Sequence, residues 1–352
     1  MHAIKKLLMT NKTGLVNSYC KIPWTNLLIN DSGFMFACWC EGKVKKPIGN
    51  ILDIKNSDEF WNVLNNNFMR ESILNKSYKL CHAYKCELLQ DAILKEKPST
   101  TFFTDIKENL SKLKLRWLYL QIDESCNLQC PSCRNDIIIH KNNNKTKIVK
   151  DILQKVEEYI ITPNNDRLTI RLVGNGELFA SHTLMAWFFN FDFKKYDNVD
   201  FFIHTNATLL SKHEEFLLKI ADKLEGFEVS LDAATPETYK IVRKGGNWQD
   251  VINGLQTIKK LRNISKKINL TNSFVVSSLN YKDMPEFIKF ASANDARLVF
   301  YKVLRWQISE QKFKNLNIFS PTHELHEDFN QMLKSINFDN NKIEPNIFNV
   351  KI

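Results

Sequence analysis

The feature that most constrains this chain is a short loop, Asp123-Glu-Ser-Cys126-Asn-Leu-Gln-Cys130-Pro-Ser-Cys133-Arg134. It directly follows an apolar, aromatic-rich run, Arg116-Trp-Leu-Tyr-Leu-Gln-Ile. The spacing Cys-x3-Cys-x2-Cys puts three thiolates on one tight turn, without the fourth that a closed zinc site or an electron-transfer cluster takes. Three soft ligands on one loop suit a [4Fe-4S] cluster with one iron left open to a further ligand. A zinc site with a distant fourth ligand and a chance triplet are the alternatives.

The residues that follow read as repeated strand–helix units. Further apolar runs cover Leu168–Val173, Val199–His204, Phe227–Leu231, Ile268–Val276 and Arg297–Val303. Between them, near 146–161, 180–189, 211–223, 247–265 and 281–293, apolar residues recur at three- and four-residue spacing. Strands alternating with helices imply parallel pairing and right-handed crossovers. Six such units predict an α/β fold, a partial (β/α)6 TIM-like barrel, with its chemistry at the C-terminal strand ends.

Each strand end carries an unusual segment. Gly174-Asn175-Gly176-Glu177 follows the second strand, and glycine there lets backbone approach a ligand. His204-Thr205-Asn206-Ala207-Thr208 follows the third, with Asn206 a candidate for an Asx turn. The fourth runs through Ser230-Leu-Asp232-Ala-Ala-Thr235-Pro236-Glu-Thr-Tyr239 to Arg243-Lys-Gly245-Gly246, and Thr235-Pro236-Glu237 is also a good helix start. Polar residues Asn272, Ser273, Ser277, Ser278 and Asn280 lie at and beyond the fifth.

Together these segments resemble those of the radical S-adenosylmethionine (SAM) enzymes. The turn at 174–177 is similar to the family's Gly-Gly-Glu, and that at 205–208 to its Thr-Asn-Gly-Thr, with Ala207 replacing glycine. The 230–246 stretch resembles the SPASM-type subgroup. Ser132 departs from the pattern, since many members have an aromatic residue there. The resemblance implies that Cys126, Cys130 and Cys133 hold a [4Fe-4S] cluster whose open iron chelates SAM. Reductive cleavage of SAM then yields a 5′-deoxyadenosyl radical that abstracts hydrogen from substrate, while the protein binds, orients and seals. It also implies that Gly174, Gly176 and Glu177 meet the SAM ammonium, and that Asn206 is a candidate for ribose or backbone positioning. Ser230 and Asp232 would face the ribose and substrate edge, and the polar residues at and beyond the fifth strand could line an adenine pocket. Arg243 would pair with the SAM carboxylate.

The other five cysteines, Cys20, Cys38, Cys40, Cys81 and Cys86, precede the barrel. Asp31-Ser32-Gly33 reads as a hairpin turn that brings Cys20 and Cys38 together, and Phe60–Leu74 reads as a helix returning toward Cys81 and Cys86. The Cys-x-x-Pro-Trp opening at 20–24, the Ile-Gly-Asn turn at 48–50 and the closing cysteine pair resemble a twitch/SPASM auxiliary-cluster module. Most relatives carry it after the barrel and a smaller group in front. Cys20, Cys38, Cys81 and Cys86 would close one auxiliary [4Fe-4S] cluster, with Cys40 spare or substituting. Structural zinc is the alternative. Disulfides are not expected, since the N-terminus lacks the apolar core of a signal peptide and the expected compartment is the cytoplasm.

The expected organisation is a small α+β iron–sulfur module over 1–90, a connector over 91–114, the barrel over 115–305 and a covering C-terminal helix and tail over 306–352. In that tail Ser320-Pro321 reads as a helix start, with Leu325, Phe329, Met332 and Leu333 as its apolar stripe. His323 and His326 lack the spacing of a metalloprotease pair. Asn142–Lys145 reads as a mobile loop. At 352 residues and 43% hydrophobic content the chain fills two domains. It has no apolar run of about 18 residues, so no membrane span is expected. The net charge of +10 invites a nucleic-acid reading, but the lysines are scattered. The group Lys259, Lys260, Arg262, Lys266 and Lys267 reads as a solvated helix face.

Three functions are compatible with this reading. The first is radical modification of a peptide or protein, such as oxidation, crosslinking or epimerisation, with an auxiliary cluster taking the electron that the substrate radical loses. The roughly 19 residues before Cys20 are short for a leader-peptide-binding domain. The second is the same chemistry on a sugar, nucleotide-sugar or other small metabolite. Both expect a flavodoxin- or ferredoxin-like reductant. The third is a two-cluster redox or electron-transfer protein without SAM turnover, for which an aminoacyl and ribose pocket would have no use.

Overall fold

The computed structural model describes residues 18–82, 85–94, 99–163, 166–172, 176–336 and 343–344. Gly174 and Asn175 of the Gly-x-Gly-Glu turn lie outside these. The chain packs as two compact units. One gathers residues up to 123 with 142–172 and 191–200, and the other takes 124–141, 173–190 and 201 onward.

In the first unit β1 (Tyr19–Cys20) leads through a short helix, Ile22–Thr25, into β2 (Asn26–Asn30). The expected hairpin forms: β2 turns into antiparallel β3 (Phe34–Phe36), which pairs in turn with β4 (Gly49–Asn50). Gly33 sits in the turn at φ +79°, where a residue with a Cβ would be strained and would crowd the Asn50 and Leu52 side chains. The connector is more structured than its sequence suggests. It supplies β5 (Phe103–Thr104), which pairs antiparallel with β1 beside Cys20. Next, β6 (Trp117–Gln121) pairs in parallel with both β2 and β7 (Leu168–Leu172). The N-terminal hairpin thus extends the same sheet as the first two strands of the strand–helix series.

Two local expectations fail here for capping reasons. Phe60–Leu74 is two helices, Ser57–Asn65 and Phe68–Leu74, because Asn67 leaves helical geometry and accepts the Arg70 N–H as an N-cap. Asn142–Lys145 is not a loop. Asn143 and Thr146 form a reciprocal capping box that starts the helix Asn144–Tyr159.

In the second unit β8 (Val199–Thr205, from Phe201 on), β9 (Leu224–Ser230), β10 (Asn269–Val276) and β11 (Arg297–Lys302) pair in parallel in that order. The tail adds an unforeseen parallel strand, β12 (Ile343–Glu344), on β11. All six strands of the predicted series are present, giving a mixed α/β fold with parallel sheets. The helices Trp248–Ile264 and Met284–Ala293 lie close to expectation, whereas 211–223 breaks into a short α-helix, Glu214–Lys219, between two 3-10 turns. The C-terminal helix starts at His326 rather than Ser320, and buries Phe329 and Leu333. His323 and His326 are each pinned to a backbone carbonyl, those of Asn315 and Ile318.

Strand alternation sorts the two faces of this unit. Phe274, Phe300 and Phe287, the last from the helix Met284–Ala293, form an aromatic cluster with centroids 4.8–6.2 Å apart. Asn272 lies on that helix-facing side, fully buried. Ser273 lies on the opposite face with His204, Glu228, Ser230 and Tyr301. The two neighbours therefore do not share a pocket.

The helix Trp248–Ile264 places Gly254 against the turn after β8, where a Cβ would lie 2.4 Å from Ala207 O. Ala207 itself holds φ at +63°, which disfavours a residue with a Cβ by about 1–2 kcal/mol. Gly254→Ala should lower unfolding stability by about 1–3 kcal/mol through overpacking, read as a shifted urea midpoint; an unchanged midpoint would mean that helix and turn separate freely.

Candidate active site

From Glu124 on, the cysteine loop lies in the second unit and is held from several sides. Cys126 N–H donates to Ile138 O at 2.6 Å, Glu177 N–H to Ser125 O at 2.7 Å, and Gln129 N–H to Lys244 O at 3.0 Å. The last bond exists because the helix Pro236–Val242 ends at Arg243 and the chain then turns through Gly245 at φ +92°. Gln307, past β11, donates its backbone N–H to Cys133 O at 3.1 Å and its side chain to Glu124 Oε2 at 2.7 Å.

Each thiol meets a donor. Leu128 N–H points at Cys126 Sγ at 3.4 Å, with Asn206 Nδ2 at 4.0 Å. Arg243 Nη1 reaches Cys130 Sγ at 3.8 Å, and the Arg134 guanidinium bonds the Cys133 sulfur. Burial is the main reason the Cys126 thiol is pushed up to about 11 and the Cys130 thiol is raised as well, with neighbouring Cys130 and Cys133 adding to it. Dry, mutually repelling thiolates are costly until a bound cation compensates them, and in a metal site the ion itself removes the protons. Sulfurs with directed donors and raised thiol pKa values fit an iron–sulfur cluster.

The expected SAM residues are engaged with one another. Asp232 sits at φ +58°, a left-handed conformation that only the surrounding structure can enforce. Its carboxylate accepts Val275 N–H at 2.7 Å and pairs with Arg243 Nη2 at 2.9 Å, and its carbonyl accepts Asn280 Nδ2 at 2.8 Å. Burial raises the Asp232 carboxyl, against the pull of Arg243. Burial works against the Arg243 charge too, but Asp232 and Cys130 outweigh it and hold that guanidinium above its usual range. In this structure Arg243 thus pairs with Asp232 and a loop thiol, and Asn280 supports Asp232.

Glu177 is 2% exposed. Its carboxylate accepts Asn206 N–H at 2.6 Å, Thr205 Oγ1 at 2.8 Å and Phe179 N–H at 3.3 Å. Asn206 combines both readings of its turn. Its Oδ1 takes Thr208 N–H at 3.0 Å, an Asx turn, and its Nδ2 crosses to Asn127 Oδ1 at 3.0 Å. Asn127 Nδ2 donates to Thr208 Oγ1 at 2.9 Å, which donates back to Asn206 Oδ1 at 2.6 Å. This closed ring ties the loop to the end of β8. Ser230 Oγ lies 2.7 Å from His204 Nε2 and 3.2 Å from Ser273 Oγ. Gly176 forms the bend before Glu177.

Arg134, Asn127 and His204 were missed in the sequence. Arg134 and Asn127 were visible as polar neighbours of the cysteines, whereas His204 gave no signal apart from its strand position.

In the first unit Cys20, Cys38, Cys81 and Cys86 stand within electrostatic reach of one another. Burial raises Cys20 and Cys81 strongly and pushes the Cys38 thiol up to about 12, and the neighbouring thiols add to each shift. Cys40 donates its backbone N–H toward Cys38 sulfur. Among the described residues no three His, Cys, Asp or Glu side chains converge on one metal ion; ligands of a cluster bind different irons and need only surround it.

Residues 121–291 match the family model described as the radical SAM superfamily. This segment, just under half of the chain, is thus similar to the radical SAM superfamily. The chain is 27% identical over 180 residues to a probable GTP 3′,8-cyclase of Methanocaldococcus jannaschii, covering 50% of this chain and 55% of that protein. It is 23% identical over 178 residues to the GTP 3′,8-cyclase of Alkaliphilus metalliredigens, covering 49% and 51%. The chain thus spans about half the length of the curated relatives it matches. Among solved structures it is similar to native anSMEcpe with bound AdoMet, at 18% identity and TM-score 0.37, covering 57% of each chain. It is also similar to a radical SAM methyltransferase from Sphaerobacter thermophilus, at 11% identity and TM-score 0.34, covering 61% and 62%. No helix among the described residues is long and apolar enough to cross a membrane.

Burial raises the Glu177 carboxyl above its ordinary value, against the lowering by Asn206 N–H and Thr205. A raised carboxyl favours folding only while protonated, so this contribution is lost as pH rises from the ordinary glutamate range, about 4.3, through the folded value. Wild type should therefore lose stability relative to Glu177→Gln over that window, measured as the difference in urea midpoints. A difference that stays flat with pH would contradict the assignment.

Proposed function

We propose that this chain is a SAM-cleaving radical enzyme whose Cys126, Cys130 and Cys133 hold the [4Fe-4S] cluster. When bound there, the cluster and SAM supply a one-electron sulfonium cleavage that gives methionine and a 5′-deoxyadenosyl radical, which takes a hydrogen atom from substrate. The observation that carries this reading is the loop of three thiols, each given its own donor by Leu128, Arg243 or Arg134. The residues around it act by holding geometry. Glu177 orients the Asn206 turn, the Asn127–Thr208–Asn206 ring fixes that turn to the loop, and Asp232 aims Arg243. Gly176, Ser230 and, from the resemblance, Gly174 complete the surface offered to SAM. The electron comes from a flavodoxin- or ferredoxin-like partner.

For the substrate we place a small metabolite of the nucleotide or nucleotide-sugar class ahead of a peptide, because the curated relatives quoted above are named for a nucleotide. The peptide reading rests on the SPASM/twitch resemblance of the N-terminal segment. In either case Cys20, Cys38, Cys81 and Cys86 are our candidates for an auxiliary [4Fe-4S] cluster that takes up the electron leaving the substrate radical.

The test is anaerobic. The reconstituted protein should carry about eight irons, four for each cluster, and form 5′-deoxyadenosine from SAM with a strong reductant. Cys126→Ala, Cys130→Ala and Cys133→Ala should each abolish it. The Cys81→Ala, Cys86→Ala double variant should keep SAM cleavage while losing product. A fully loaded protein that leaves SAM intact, with nucleotides and peptides present, would favour the electron-transfer alternative. Normal turnover by the double variant would remove the auxiliary role.

A further inference from the structure

The first unit holds a cavity of about 350 Å³ that shares no residue with the cysteine-loop site. That volume lies within the range of small-ligand pockets, about 300–1,000 Å³. Trp24, Trp61, Asn65, Arg70, Ser111 and Lys114 line it together with three leucines, so its wall carries two cations and no carboxylate. Arg70 is 9% exposed. The helix Phe68–Leu74 sets its guanidinium over the Trp24 ring, with Cζ 5.4 Å from the centroid. Nε donates to Pro23 O at 3.0 Å and Nη1 to Asn65 Oδ1 at 2.8 Å, both neutral acceptors. Among the described residues Nη2 donates to no acceptor and no carboxylate pairs with this guanidinium. Burial pulls it down to about 10 with no such anion to hold it up. A buried cation without a counter-charge is costly, and a bound anion offsets that cost.

We propose that this cavity binds a small phosphate monoester carrying a flat ring, with its phosphate on Arg70 Nη2 and Lys114 and its ring on the Trp61 indole. A guanidinium fork matches phosphate oxygens, and an ammonium adds a point charge. A phosphate monoester carries nearly two negative charges at neutral pH, one for each cation, whereas a carboxylate carries one. Trp61 is braced edge-to-face by Phe60, with centroids 5.1 Å apart, and so offers a fixed aromatic platform. The inference does not depend on the radical chemistry proposed above.

The experiment titrates 5′-UMP into the anaerobically reconstituted full chain by calorimetry at fixed salt. This probe has ring and phosphate but not the adenine of SAM. Wild type should bind it at least about tenfold more tightly than inorganic phosphate, the difference coming from the stacked ring. Arg70→Gln should weaken UMP binding at least about tenfold, as loss of a charge-assisted hydrogen bond does. Trp61→Leu should bring UMP down to the affinity of phosphate. Lys114 is exposed, so Lys114→Gln carries the test even if Arg70→Gln fails to fold, and it should weaken UMP about threefold. Wild type that binds UMP no better than phosphate would overturn the proposal. So would Lys114→Gln, or a folded Arg70→Gln, that binds UMP as wild type does, because the nucleotide would then sit elsewhere. The expected binding pattern in a protein that leaves SAM intact would uphold this site and count only against the function proposed above.

Discussion

The buried pair of Asp232 and Arg243 is the contact on which the site's geometry depends. Asp232 occupies a strained left-handed position just past β9, held there by Val275 N–H of β10 and by the side chain of Asn280 beyond that strand. Arg243 ends the helix that begins at Pro236, so the pair fixes where that helix stops. The next residue, Lys244, supplies the carbonyl that anchors Gln129 within the cysteine loop. Removing one partner of a buried pair strands a charge, at about 3–5 kcal/mol, so strand, helix and loop share one geometry.

A second network does the same on the other side of the loop. Glu177 draws in the backbone of Asn206, and Asn206 reaches across to Asn127, the residue after the first cysteine. The two networks use different chemistry, one an ion pair and the other a ring of neutral hydrogen bonds beside a buried carboxyl. Both leave the thiols as the convergence point. Residues that the family resemblance would assign to SAM contact are here also the scaffold of the cysteine loop, so substitutions among them move the loop itself.

Much of this was legible in the chain. Six strands and their order follow from apolar runs separated by helix-period segments, because burial on parallel strands leaves long hydrophobic stretches. The cysteine loop follows from spacing alone. Less legible were features decided by a single side chain finding a backbone group. Asn67 and Asn143 start helices that hydrophobic period could not locate, and β5 pairs with β1 across some 80 residues of sequence. The pairing of Arg243 with Asp232 and Cys130 was hidden for the same reason, since local motifs do not say which of several polar groups will meet once the strands align. Arg134 was overlooked because a cation beside a cysteine motif looks like an ordinary solvated residue until burial is known.

The contacts of Gln307 have a bearing on when the site comes into being. Glu124 meets a side chain 183 positions later, and Asn135 is held by Lys312, 177 positions later. Contacts of such long sequence separation are closed late in folding, after most loop entropy has been surrendered. On a growing chain, the cysteines emerge well before the residues that secure their loop. Until those residues are made, the three thiols sit on an incompletely tethered segment.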